Sequence, residues 1–255
     1  LATFAVGSAF HIYLYQMLGL HFFTADAFRP WQLITYMFMH GDISHLFFNM
    51  FALWMFGYLL ENVWGSKRFL IYYLITGIGA ALIHYGVLYI EMKPMLDSID
   101  VLLTNPSNDK FVEFFNSGKV AIVSEEVQSL YIQFVKDFNY YNTTDPQKAL
   151  SVAIEFMSEY RVGYLNAPLV VGASGSVFGI LLAFGMLFPN TLIYVFFAIP
   201  IKAKYFVMGY GALELFFGMA NRAGDNVAHF AHLGGMIFGF LLIMLWKKKS
   251  GSYFH

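Results

Sequence analysis

The sequence predicts an all-α membrane protein, a bundle of six membrane-spanning helices with a polar helical insert between the third and fourth. Three observations favour this fold class. Hydrophobic residues make up 58% of the 255 positions and charged residues only 12%, whereas a soluble domain has roughly 25% charged residues. Apolar segments recur at about the 20-residue length that crosses a bilayer as a helix. The charges are concentrated in one stretch, because residues 91–163 hold 17 of the 31 charged side chains.

The predicted spans form two groups around the polar stretch. Residues 1–90 contain the first three spans, and the first of these begins inside an apolar run, so we expect it to be truncated. Residues 164–255 contain the last three spans and a basic tail. The spans are predicted at about 1–19, 45–61, 69–90, 166–188, 204–220 and 227–246.

Residues 91–163 are expected to form an extracytoplasmic helical insert. Ser124 stands before two glutamates, which is typical of a helix start, and Asp145 followed by proline indicates a second start. Apolar positions at helical spacing follow each of them. They predict short amphipathic helices at 127–138 and 149–160, either packed together or lying on the membrane surface.

Basic residues near the span ends predict the orientation of the chain. Lys67 and Arg68 follow the second span, and residues 247–249 are three lysines after the sixth. These ends, and with them the C-terminus, are predicted to be cytoplasmic. The second, fourth and sixth spans then begin near the outer surface, and the predicted location is a bacterial inner (plasma) membrane.

Three polar clusters fall at those outer helix starts: HGDISHLFFN at 40–49, GASGSVFG at 172–179 and AHFAHLGGMIFG at 228–239. Ser174 lies about eight residues into the fourth span, and His232 lies about five residues into the sixth. At 1.5 Å per residue, both should sit roughly 7–12 Å below the outer boundary. A serine and a histidine at one depth on parallel helices can meet.

Ser174 and His232 are therefore the predicted nucleophile and base. A neutral buried imidazole can accept the hydroxyl proton, which activates a serine for attack on a carbonyl carbon. A serine among glycines is by itself more typical of tight helix packing. Here the two interpretations agree, because small residues bring the fourth and sixth spans close together. These residues are Gly172, Gly175, Gly179, Gly235 and Gly239.

His45 and Asn49 are four residues apart and should share one face of the second span. With the backbone N–H of Ser174 they are predicted to form an oxyanion hole. The alternative is that these two polar side chains satisfy each other or a loop. His40 is expected to brace the preceding loop.

Several other sites are excluded or not supported. The chain has no cysteine and a net charge of -1, which argues against thiolate chemistry, a cysteine metal site and nucleic-acid binding. His40 and His45 lack the HExxH spacing of zinc proteases. His229 and His232 have no third ligand beside them in the sequence, so no metal or cofactor is predicted.

Glu214 is the only acid in the fifth span. Nothing places it behind His232, so a dyad is predicted. A lone acid inside a span is a functional candidate, but a structural hydrogen bond or pairing with a terminus is favoured for Glu214.

Taken together, these motifs resemble those of the rhomboid intramembrane serine proteases. The resemblance rests on HxxxxHxxxN at 40–49, Gly-Ala-Ser-Gly at 172–175 and Ala-His-Leu-Gly-Gly at 231–235. It covers most of residues 21–90 and 166–246. Three ordered motifs on the expected spans are far more specific than any one of them.

The resemblance implies an endopeptidase that cleaves single-span membrane proteins near the outer boundary of the bilayer, through an acyl-enzyme. Ser174 and His232 would be its catalytic dyad, with His45 and Asn49 around the oxyanion. Phe178 falls where the family places an aromatic ring against the catalytic histidine. The family core joins the third and fourth spans briefly, so the insert has no counterpart there.

Two other functions remain open for the same groove. One is a non-catalytic chaperone or adaptor that binds membrane helices without cutting them. The other is a small transporter, which is disfavoured because the spans offer few charges and no repeat of broken helices. Labelling of the serine by a fluorophosphonate would separate the enzyme from both.

Overall fold

The computed structural model describes residues 14–195, 198–220 and 227–250. The chain forms two compact units. The first unit comprises residues 1–20, 29–87 and 170–255, and the second comprises residues 21–28 and 88–169.

Helices dominate the described residues. In chain order they are α1 (Leu14–Leu18), α2 (Gln32–Thr35), α3 (Ile43–Ala52), α4 (Tyr58–Trp64), α5 (Ser66–Thr104), α6 (Asn108–Asn116), α7 (Glu125–Thr144), α8 (Pro146–Asn166), α9 (Ser174–Leu187), α10 (Ala203–Ala220) and α11 (His229–Ser250). A 3-10 turn spans Tyr36–Phe38, and a π turn at Leu53–Gly57 joins α3 to α4. The short strands are β1 (Leu20–His21), β2 (Leu169–Val170), β3 (Leu192–Val195) and β4 (Ile199–Lys202). β3 and β4 form an antiparallel hairpin in which Leu192 lies opposite Lys202.

Within the described part of the chain, three helices are long and apolar enough to cross a membrane. They are the continuous helix Ile43–Trp64, α5, and α11 as far as Lys248. The predicted fourth and fifth spans correspond to α9, which is a shorter apolar helix of 14 residues, and to α10 with 18 residues. The predicted first span, 1–19, lies mostly outside the described residues. The helical membrane fold is therefore supported, and the count of six spans stays a prediction.

The helix of the predicted fourth span, α9, begins later than predicted. The apolar pattern suggested a start near residue 166, but α8 ends at Asn166 and α9 begins only at Ser174. Between them Gly172 has φ +126°, a left-handed conformation that favours glycine and interrupts the helix. Ser174 is thus the first residue of its helix, and His232 is the fourth residue of α11. The equal depth estimated from the sequence rested on the wrong helix start.

The helix of the predicted third span, α5, extends further than predicted. α5 has 39 residues and continues to Thr104, so the first part of the predicted insert belongs to this helix. Its length corresponds to about 58 Å at 1.5 Å per residue. Pro94 lies inside it, where one backbone N–H donor is missing.

The second unit has a hydrophobic core of its own. The Ser124 side chain caps α7 by accepting a hydrogen bond from the Val127 N–H at 3.1 Å, and Asp145 caps α8 at the Lys148 N–H. Both predicted helix starts are thereby confirmed. The helices bury their apolar faces against one another, which matches the packed alternative. The buried core residues are Ile99, Leu102, Phe111, Phe114, Val127, Phe134, Phe138, Ala149, Ala153, Phe156, Met157 and Tyr160.

In the first unit, α9 and α11 approach each other closely through glycine. A Cβ atom at Gly235 would lie 1.8 Å from the carbonyl oxygen of Gly175, and one at Gly239 would lie 3.4 Å from the Cα of Gly179. The Tyr72 hydroxyl adds a hydrogen bond of 2.8 Å to the Gly179 carbonyl. The predicted close approach of these two helices is confirmed.

Candidate active site

Ser174 and His232 are in direct contact. Nε2 of His232 lies 2.8 Å from Oγ of Ser174. The histidine is buried and the serine is partly exposed. This distance allows the hydroxyl to donate its proton to the imidazole.

The start of α9 places the serine. Ala173 precedes the helix, and the first intrahelical bond of this turn runs from the Val177 N–H to the Ala173 carbonyl at 3.0 Å. The N–H groups of Ser174 and of the next residues therefore have no partner inside the helix and point to its open end. Such N–H groups, with the positive end of the helix dipole, attract negative charge.

Phe178 orients the imidazole from its flat side. The two rings are stacked, with 4.2 Å between their centroids and an interplanar angle of 7°. Phe178 lies one turn after Ser174 on α9, so the helix that carries the serine also packs on the histidine. Tyr210 of α10 contacts the Phe178 ring with a centroid distance of 4.9 Å.

An acid does stand behind His232, contrary to the sequence-based expectation. Oε2 of Glu214 lies 2.8 Å from Nδ1 of His232. The same oxygen lies 2.7 Å from Nδ1 of His229. Glu214 therefore makes the expected structural hydrogen bond, but with the predicted base itself, and the arrangement has three members in line. The expectation that no acid stands behind His232 was wrong, because sequence alone does not show that α10 crosses α11 at this level, and the catalytic dyad itself stays a prediction.

A carboxylate at Nδ1 determines the tautomer of His232. An ionised carboxylate only accepts hydrogen bonds, so Nδ1 of the imidazole donates to Glu214. In the neutral ring Nε2 then carries a lone pair and faces the serine hydroxyl. That is the form in which a histidine acts as a general base.

His45 is held beside the serine by its own helix start. Its backbone N–H donates to the Asp42 carboxylate at 2.8 Å, which caps α3. Its Nδ1 accepts a hydrogen bond of 3.4 Å from the Gly41 N–H. The proton of a neutral His45 is therefore on Nε2. A Cβ atom at Gly172 would lie 2.7 Å from this Nε2 and 3.7 Å from Ser174 Oγ, so the donor is close to the serine.

Asn49 lies one turn further along α3, on the same face as His45. Its side-chain nitrogen donates to the His45 carbonyl at 3.0 Å, and the residue is buried. An asparagine side chain has two N–H donors, and this hydrogen bond within the helix uses one of them. The Asn49 amide therefore makes a hydrogen bond within α3, as the structural interpretation expects, and it also lies beside His45, as the oxyanion-hole interpretation expects.

His40 packs against His45. Its ring contacts that of His45 edge to face, with centroids 5.2 Å apart. The Tyr15 hydroxyl donates to its carbonyl oxygen, which fits a residue that braces the loop. Burial, and to a smaller extent the adjacent His45, lower the pKa of His40 to about 4, so the ring is neutral at neutral pH.

A nucleophile, a base and an acid in line are the arrangement used by serine hydrolases on unrelated folds. Here the groups belong to apolar helices. A sequence profile of the Rhomboid domain matches residues 27–93 and 148–249, which is more than half of the chain. The chain belongs to the rhomboid family. The two matched segments leave out residues 94–147, which lie inside the predicted insert 91–163.

Individual relatives carry the same family name. The chain is 26% identical over 230 residues to an uncharacterized mitochondrial rhomboid protein of Schizosaccharomyces pombe, covering 87% of this chain and 53% of that protein. It is 48% identical over 48 residues to the rhomboid protease GluP of Bacillus subtilis, covering 19% of this chain and 10% of that protein. It is 43% identical over 55 residues to the mitochondrial RHOMBOID-like protein 6 of Arabidopsis thaliana, covering 22% and 18%. The chain spans about half the length of the first relative and less of the others. No solved structure matches it.

The predicted bacterial inner membrane conflicts with these names. Two of the three relatives are named as mitochondrial proteins. Family membership and the apolar helices identify a membrane protein. The cytoplasmic C-terminus stays a prediction.

Proposed function

We propose that this protein is an intramembrane serine endopeptidase. Ser174 attacks the carbonyl carbon of the scissile peptide bond while its proton passes to Nε2 of His232. His232 then gives that proton to the leaving amine, and a water molecule hydrolyses the acyl-enzyme by the same route. The observation that carries the proposal is the 2.8 Å contact between Ser174 Oγ and His232 Nε2 at the beginning of two closely packed helices.

Glu214 is proposed as a positioning residue for the base. By accepting the hydrogen bond from Nδ1, it keeps the lone pair of His232 directed at the serine. It also stabilises the imidazolium that forms when the proton is transferred. Phe178 restricts rotation of the same ring through its stacking contact.

The oxyanion is proposed to form between α9 and α3. The Ser174 N–H at the start of α9 and Nε2–H of His45 are two of the proposed donors. Asn49 adds an amide donor one turn away from His45. Donors fixed before the reaction stabilise the developing negative charge without reorganisation, and each is typically worth about 3 kcal/mol.

The proposed substrates are single-span membrane proteins, cleaved near the outer boundary of the bilayer. This class comes from the rhomboid family, whose domain covers the site residues of this chain. Ser174 is partly exposed and lies at a helix start, which supports access by a substrate segment and water. No metal or cofactor takes part in the proposed reaction.

The proposal is tested with the purified chain in detergent and in liposomes. The chain should cleave a single-span reporter and react with a fluorophosphonate at Ser174. Ser174→Ala should lower turnover by about a thousandfold or more and abolish labelling. Ser158→Ala, which removes an exposed serine of α8, should leave both unchanged.

Two results would contradict the proposal. Cleavage by the Ser174→Ala protein would show that another group is the nucleophile. Binding of the reporter without turnover, together with no labelling of the unmodified chain, would instead support the chaperone or adaptor.

A further inference from the structure

Three side chains of types that can bind a metal ion converge at the proposed base: Glu214, His229 and His232 itself. His229 and His232 present their Nδ1 atoms to one carboxylate oxygen of Glu214, at 2.7 Å and 2.8 Å. The side chains of His229, His232 and Glu214 are 12%, 10% and 7% exposed. The proposed proteolysis uses Glu214 and His232, and it leaves His229 without a role.

The donor set is the one that zinc prefers. Two imidazoles and one carboxylate are the protein ligands of many catalytic zinc sites, which keep a fourth position for water. Calcium and magnesium prefer oxygen ligands, so the two nitrogens select a transition metal. In the sequence, His229 and His232 lacked a third ligand, and Glu214 of α10 supplies it in space.

The distances suit a metal after small movements. The three ligand atoms lie within 4.8 Å of one another. Tetrahedral coordination with bonds of about 2.0–2.2 Å requires separations of about 3.3 Å. Each ring therefore moves by less than about 1 Å, and the carboxylate oxygen moves away from the nitrogens by a similar distance. His229 is the first residue of α11, so the cluster lies at the beginning of that helix.

We propose that Glu214, His229 and His232 bind one Zn²⁺ ion, or a similar divalent transition metal, and that this ion inhibits the protein. The inhibition, but not the binding, rests on the proposed function. Coordination through Nδ1 requires its lone pair, so the proton of the neutral His232 ring moves to Nε2. The Nε2–H then donates to Ser174 Oγ and cannot accept the serine proton. The bound metal thus removes the base without displacing it.

Binding is measured first, in a form that does not depend on activity. Calorimetric titration of ZnCl₂ into the Ser174→Ala protein in detergent, purified without a histidine tag, should give one ion per chain. Removing one ligand with Ser174→Ala/His229→Ala should weaken binding by about 100-fold or more, because changes outside the first ligand shell already cost about 10–100-fold. Co²⁺ should give the visible absorption of a four-coordinate site, and MgCl₂ should not compete.

The inhibition is measured in the unmodified chain. ZnCl₂ should suppress fluorophosphonate labelling at least about tenfold, and EDTA should restore it. His229→Ala should keep its own metal-free labelling rate when ZnCl₂ is added at concentrations that inhibit the unmodified chain. His40→Gln serves as the matched control, because it removes a nearby histidine outside the cluster, and it should remain sensitive.

The outcomes separate this inference from the proposed function. A chain that labels and cleaves but takes up no Zn²⁺ overturns the metal site, and so does a His229→Ala protein that binds Zn²⁺ unchanged. Stoichiometric binding that leaves labelling unaffected overturns the inhibition. A chain that binds Zn²⁺ through His229 but never labels retains the site and refutes the protease.

Discussion

Each of the two ring nitrogens of His232 contacts a different polar side chain. Nδ1 faces Glu214 and Nε2 faces Ser174, each at 2.8 Å. Because the ring is also stacked on Phe178, its rotation is restricted. The function of the site therefore depends on which nitrogen carries the proton, and that choice is made by the neighbour of Nδ1.

Glu214→Gln tests that choice. Glutamine keeps the size of the side chain but can offer an N–H as well as a carbonyl to Nδ1, so the tautomer is no longer fixed. We expect kcat to fall by roughly tenfold or more with little change in KM and in melting temperature. Glu113→Gln, at an exposed acid of the second unit, should leave kcat unchanged. A fully active Glu214→Gln protein would exclude the positioning role.

His40 should make stability depend on acid pH. Its pKa is about 4 in the folded chain and 6.5 in the reference state. The lowered value means that the unfolded chain binds the proton more readily, so the stability that depends on neutral His40 is complete above about pH 6.5 and is lost as the pH falls towards about 4. The melting temperature of the unmodified chain should decrease in this window more than that of His40→Gln. Parallel melting curves of the two proteins would contradict this account.

At individual residues, sequence reasoning selected side chains that the structure brings together, but it did not give their full set of contacts. Ser174, His232, His45 and Asn49 could be selected because their motifs recur at helix starts. Glu214 was noticed as an isolated acid in an apolar helix, yet its partner could not be derived. Contacts between side chains of different helices depend on the crossing angle and register, which a single sequence does not contain.

At the scale of elements, the contact of α9 with α11 holds the site together. The helices meet where both carry glycine, so their backbones approach directly. The first turn of α9 carries the serine and the first turn of α11 carries the histidine. A change in the distance between these helices would separate Ser174 from His232.

Gly235→Ala tests the importance of this contact. The added Cβ would lie 1.8 Å from the Gly175 carbonyl oxygen, so the helices must separate. We expect a loss of about 1–3 kcal/mol in unfolding free energy, with a large loss of labelling at Ser174. Gly209→Ala on α10 is the control, since no atom lies within 4 Å of its added Cβ. Equal melting temperatures for the two variants would show that the contact tolerates a side chain.

Helix ends were the least predictable feature of the elements. The starts at Ser124 and Asp145 followed from capping chemistry and agree with the structure. The start of α9 and the end of α5 did not follow from hydrophobicity. An apolar run gives no sign of a backbone turn at Gly172, and a polar stretch can still continue a helix beyond Pro94.

At the scale of the whole molecule, the chain forms two compact units. The first unit carries the apolar helices and the candidate site, whereas the second buries an aromatic core built around Phe134 and Phe156, whose rings stack at 4.3 Å. Composition predicted a separate polar insert, because charge is concentrated in residues 91–163, and the insert as a domain of its own stays a prediction. The number of spans and the role of the insert were not determined by the same pattern.

Phe134→Ala tests the independence of the two units. Removing this buried ring should cost the second unit about 3–5 kcal/mol, which limited proteolysis within residues 105–145 would detect. The rate of fluorophosphonate labelling at Ser174 should stay the same. Ile132→Ala, at an exposed position of the same helix, is the matched control. A labelling rate that falls with the stability of the second unit would show that the units are coupled.

The backbone at Gly172 limits which side chains the candidate site can accept there. Its φ of +126° excludes most side chains, and any Cβ there would meet the His45 ring at 2.7 Å. A library that seeks altered cleavage preference should therefore keep this glycine and vary the positions around it. Side chains introduced at residue 172 would displace the His45 ring or strain the backbone, whichever substrate is used in the selection.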